Sequence, residues 1–149
     1  MTTPTILNTA ERDALAAALD DEYKSRETYA QVIRDFGEVR PFINIVEAEA
    51  RHIEALLALF KRYGIAAPEN IWAAKTPTFA SVSAACAAGI QGEIENVALY
   101  DRLLQSTTRA DILDVFQALR AASQDRHLPA FQRCANVRSA SVDIRNNRR

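Results

Sequence analysis

Residues 47–56 read "EAEARHIEAL" and contain Glu49-x-x-His52. On a helix, positions three apart share a face, and a carboxylate beside an imidazole is a donor set for iron, manganese or zinc. The chain has two histidines, and the second, His127, follows Gln124 at the same spacing. Upstream of each lies a glutamate with a tyrosine seven residues on: Glu22 and Tyr29, then Glu93 and Tyr100. The order E-x6-Y … [E/Q]-x-x-H therefore occurs twice, which marks an internal repeat.

Something must bring these groups to one place. The composition favours helices, with only four Gly and five Pro in 149 residues. Asn8 and Glu11 spell a capping box, and the pattern they open runs to about Phe36 before Gly37. Pro41 suits the first turn of a second helix that closes at Tyr63 and Gly64. Residues 64–77 carry two prolines and no clear period, so they read as a loop. Thr76-Pro77 opens a third helix to about Gln105, and Thr108 with Asp111 caps a fourth that reaches about Cys134. The divisions are an N-terminal extension (1–8), a bundle (9–134) and a flexible Arg-rich tail (135–149).

The expected fold is all-α: an antiparallel four-helix bundle of up-down-down-up type, with two hairpins and a long crossover between helices 2 and 3. Its inward stripes carry Glu22, Arg26 and Tyr29 on helix 1, and Glu49 and His52 on helix 2. Helix 3 contributes Cys86, Gly89, Glu93, Val97 and Tyr100, and helix 4 contributes Ser123, His127 and Cys134. Every stripe is apolar at its ends and polar near its middle. Asp20, Asp21, Glu27, Glu47, Glu54 and Glu95 fall to the solvated side. Three carboxylates and two imidazoles at one depth repel or stay undersolvated unless a cation joins them.

The remaining totals exclude other roles. A formal net charge of -1 gives no basis for nucleic-acid binding. No apolar run reaches the ~20 residues of a membrane span, and "MTTPTILNTA" lacks the form of a signal peptide. A cytoplasmic location is expected.

"DEYKSRETY", "NIVEAEARHIEALLALFKRYGI", "GEIENVALYDRL" and "HLPAFQRC" resemble the ferritin-like dimetal-carboxylate superfamily, rubrerythrins and ferritins included, over residues 9–134. The resemblance is closest to small bacterial and archaeal ferritin-like domains whose function is not established. It implies that Glu22, Glu49, His52, Glu93 and His127 are metal ligands and that Glu49 bridges. Tyr29, Tyr100 and Asn96 would orient those ligands. Gln124 departs from the pattern, since the family needs a bridging carboxylate there. A Gln amide is a weak, uncharged ligand, and three carboxylates leave two divalent ions one positive charge in excess. On that argument Gln124→Glu raises metal occupancy.

The expectation is a non-haem metal protein holding one or two ions, with iron favoured over manganese or zinc. Its redox activity would be directed at oxygen or peroxide. The alternatives are a metal-binding or structural bundle without turnover, and a degenerate, metal-free interaction module. No fifth helix follows helix 4, so a monomer or small homo-oligomer is expected rather than a large shell. Cys86 and Cys134 fall at one height about two turns from the site. They read as buried thiols, a disulfide, or a pair exchanging electrons with the metal.

Overall fold

In a computed structural model of the chain, which describes residues 6–136, all regular structure is helical. Helix α1 spans Thr9–Phe36, α2 Phe42–Arg62, α3 Val82–Leu103 and α4 Ala110–Ala122. A π-helical turn, Ser123–His127, continues α4, and α-helix resumes over 128–136. None of these helices is long and apolar enough to cross a membrane.

Side-chain pairing fixes the directions. As α1 runs from Glu22 to Tyr29, its partners on α3 run backwards from Tyr100 to Glu93, so α1 and α3 are antiparallel. Between α2 and α4, Tyr63 bonds Asp111 while Phe42 packs on Phe131, so this pair is antiparallel too. With the two hairpins, this is the up-down-down-up arrangement expected.

The ends of the elements follow local chemistry, with some corrections. The Asn8–Glu11 capping box forms in both directions. Glu11 also accepts from Thr107 Oγ1 at 2.6 Å and Arg109 Nε at 2.9 Å, tying the start of α1 to the α3–α4 turn. The expected Thr108–Asp111 cap does not form. Arg109 occupies the N-cap position of α4 without a side-chain cap, and Asp111 turns to Tyr63 and Arg62. Helix α3 begins at Val82 rather than at Thr76-Pro77, because Ser81 caps it by accepting from Ala84 N. The residue before a proline is pushed to extended backbone, which keeps Thr76 out of a helix.

The crossover is not held by its own periodicity. Trp72 Nε1 donates to Asp20 at 3.0 Å, Asn70 Nδ2 donates to Glu27 at 3.0 Å, and Lys24 lies over the Trp72 ring. Asp20 and Glu27, expected to be solvated, instead pin this loop across α1. Of the tail, residues 135–136 are helical and the rest lies outside the described residues.

Two apolar clusters fill the bundle. One gathers Leu15, Leu19, Leu56, Phe60, Ile112 and Phe116 at one end; the other gathers Tyr29, Val32, Phe42, Ile45 and Phe131 at the other. The second holds three mutually tilted rings, with Phe131 5.2 Å from both Tyr29 and Phe42. A Cβ on Gly89 would come within 2.8 Å of the Phe131 ring, so the glycine is what lets α3 close on it. Gly89→Ala is therefore expected to cost about 1–3 kcal/mol of stability, measured by urea unfolding. An unchanged midpoint would show that the ring has room to move.

Candidate metal centre

Between the two apolar clusters lies a polar layer. Glu22, Glu49 and Glu93 are each 1–2% exposed, and His127 is 4% exposed. His52 is slightly more open, at 11% of its side chain. These residues form two triads, Glu22–Glu49–His52 and Glu49–Glu93–His127. In each, one donor atom per residue lies within 4.8 Å of the others. Glu49 belongs to both. Its Oε2 stands 3.6 Å from His52 Nδ1 and its Oε1 stands 3.1 Å from His127 Nδ1. Glu22 Oε2 approaches His52 Nδ1 at 3.4 Å, and Glu93 Oε1 approaches His127 Nδ1 at 3.4 Å. The imidazoles lie nearly parallel, 5.5 Å apart.

These approaches do not satisfy the groups. Glu49 Oε2, His52 Nδ1 and His127 Nδ1 are buried and have no hydrogen-bond partner of good geometry among the described residues. An unsatisfied buried polar atom costs about 1–3 kcal/mol. Ion pairing with the facing carboxylates at 3.1–3.6 Å offsets part of that cost. Oxygen and nitrogen donors converging on one space fit a divalent transition metal.

One oxygen each of Glu93 and Glu22 is held by an exchange between hairpins. Tyr29 of the first donates to Glu93 of the second at 2.8 Å, and Tyr100 of the second donates to Glu22 of the first at 2.7 Å. Burial, then the neighbouring carboxylates, pushes both phenols well above their ordinary range, so both stay protonated donors. The seven-residue spacing from each glutamate to its tyrosine thus places each tyrosine opposite the other hairpin's glutamate.

The remaining residues depart from expectation. Arg26 is exposed and away from the stripe. On α3 the buried residue is Asn96, not Val97. Asn96 reaches none of the triad carboxylates: its Nδ2 donates to Asp21 at 2.6 Å, and its Oδ1 accepts from Ser123 at 2.7 Å. Burial, partly offset by the Asn96 bond, raises Asp21 to about 6. Nothing in the sequence separated Asp21 from its solvated neighbours.

Gln124 is exposed and takes no place in the cluster. The cause is the π turn. Leu128 N–H bonds Ser123 O, five residues back, and Pro129 has no N–H to restore the regular ladder. The wider turn carries Ser123 and His127 inward together and moves Gln124 out. The sequence held a signal: Leu119, Ser123, His127 and Phe131 repeat every four residues, wider than the 3.6 of an α-helix. The expectation for Gln124→Glu is reversed accordingly. Metal content is expected to stay unchanged, since the new carboxylate would face water; a raised content by elemental analysis would contradict the π-turn register.

Cys86 and Cys134 form a disulfide, with Cα atoms 6.1 Å apart, joining α3 to the segment beyond the π turn.

The cluster's protons set a pH dependence. Burial alone would lower His52, but Glu22 and Glu49 raise it to about 10. His127 is likewise lowered by burial and raised by Glu49 and Glu93 to about 9. Burial, and then Glu49, raises Glu22; burial of Glu49 is outweighed by Glu22 and the imidazoles, which lower it. The folded imidazoles hold their protons more tightly than unfolded ones near 6.5. Metal-free stability therefore falls as pH rises from about 6.5 through 9 to 10. Metal ligation needs those protons gone and strengthens with pH. The gain in melting temperature on adding metal is expected to be larger at pH 8 than at pH 6. An equal gain at both would show that metal and protons do not compete.

Among curated proteins none matches this sequence. The fold is similar to the crystal structure of a hypothetical protein, MJ0754, from Methanococcus jannaschii DSM 2661. The TM-score is 0.78 at 21% identity, covering 93% of this chain and 86% of that one. A family model described as "Uncharacterized protein domain (DUF2202)" matches residues 11–144, and the chain belongs to that family.

Proposed function

We propose that this is a non-haem metal-carboxylate protein of ferritin-like type that binds a pair of iron or manganese ions and acts on oxygen or peroxide. The observation that carries this reading is the sharing of Glu49 between two triads, together with three buried atoms that lack hydrogen bonds among the described residues. Glu22, Glu49 and His52 would hold one ion, and Glu49, Glu93 and His127 the other. An iron or manganese pair held there would supply the two electrons needed to reduce peroxide to water.

The chain's own part is to bind, orient and enclose. Tyr29 and Tyr100 fix one oxygen of Glu93 and of Glu22 and so set the angle of each carboxylate. The two apolar clusters keep bulk water from both ends of the layer. A second reading, metal binding without turnover, is favoured by the outward position of Gln124, which leaves three carboxylates where four would neutralise two divalent ions.

Elemental analysis of the purified full chain is expected to find iron or manganese at one to two ions per chain. Glu49→Ala is expected to remove it from both positions. Tyr29→Phe and Tyr100→Phe should each weaken metal binding about 10–100-fold. Fe(II) with oxygen or peroxide separates the readings: a near-UV band with peroxide consumption supports turnover, and bound iron without either supports the second. A purified chain that holds no transition metal and takes up none would end both.

A further inference from the structure

The repeat has one more matched pair. An arginine precedes each histidine: Glu49-Ala50-Arg51-His52 on α2 and Gln124-Asp125-Arg126-His127 at the π turn. The two hairpins thus present the same Arg-His step from facing elements.

Both steps line one cleft between α2 and α4, about 490 Å³ in volume, reached by His52 and His127 as well as by the two arginines. The wall between them is small, with Ala48 and Ala118, and among the described residues no Asp or Glu lines the cleft. Arg51 and Arg126 are exposed, and neither forms an ion pair with the described residues. A guanidinium is a forked donor suited to carboxylate and phosphate. His127 lines the cleft while its Nδ1 faces the triad carboxylates, so one imidazole borders both the cleft and the centre.

The charge balance points the same way. Glu22, Glu49 and Glu93 leave two divalent ions one positive charge in excess, and Ser123 on the inner face of the π turn is neutral. The complement of that excess, with two arginines at the mouth, is an anion. The volume lies in the range of small-molecule sites and is larger than oxygen or peroxide needs.

We infer that the α2–α4 cleft binds a small oxyanion, a compact carboxylic acid or a phosphate, its charged head held by Arg51 and Arg126 beside the imidazole side of the centre. The inference rests on the metal-centre reading and adds the ligand class.

The test uses the full chain loaded with Co(II), whose visible bands report changes around the metal. Succinate and inorganic phosphate are titrated separately at constant ionic strength. A saturable spectral change at one anion per chain is expected, weakened roughly tenfold in Arg51→Ala and in Arg126→Ala. Arg133→Ala, exposed and outside the cleft, is expected to leave it unchanged. A response to succinate assigns an organic acid, and a response to phosphate alone assigns the inorganic ion; both support the site. Both arginines are on the surface, so their loss should not unfold the chain, and a thermal melt of each variant checks this. A Co(II)-loaded protein with no saturable response, or one equally strong in both arginine variants, overturns the inference while leaving the metal centre standing. A chain that takes up no Co(II) overturns both.

Discussion

Burying charge in an apolar core is costly unless each charged group has a partner. This bundle places three carboxylates and two imidazoles at one depth, and leaves three of their atoms without hydrogen bonds among the described residues. Removing one carboxylate would not repair the layer, because Glu49 faces both imidazoles. The Coulombic opposition of carboxylate and imidazole offsets part of the cost. The unmet donor and acceptor directions remain, and they point at each other's neighbourhood. A fold organised around such a layer is organised around what neutralises it.

The rest of the architecture serves that layer. Apolar side chains above and below it supply the burial that holds four helices together. The crossover is fastened by Trp72 and Asn70 to α1, so that α3 can come down beside α1 and bring Glu93 and Tyr100 to the height of Glu22 and Tyr29. Gly89 and the Tyr29–Phe42–Phe131 ring cluster set how closely α3 approaches just beyond the layer. The Cys86–Cys134 bond ties α3 to the segment past the π turn, limiting how far that segment can move from His127.

Much of this was legible in the sequence, for physical reasons. Long amphipathic periods, a capping box at Asn8 and glycines at 37 and 64 mark helices whatever they pack against. The inward position of Glu22, Glu49, His52, Glu93 and His127 followed from their place on apolar stripes. The errors came where tertiary partners overrule local pattern. Asp20 and Glu27 resemble surface residues until the crossover lies over them. Asp21 is defined by Asn96, 75 positions away. Gln124 entered as a ligand position through the repeat and the family pattern, and the π turn carries it to the outside. The stripe through Ser123 already required the wider spacing.

The π turn has a further consequence for the symmetry of the molecule. Residues 22–52 supply a full triad from the first hairpin alone, whereas the second hairpin's Glu93 and His127 must borrow Glu49 from it. The duplicated halves are alike in tyrosine exchange but not in ligand supply: one is self-sufficient, the other dependent. The two triads are in this way made chemically distinct by a glutamine at 124 and the helical turn that carries it outward.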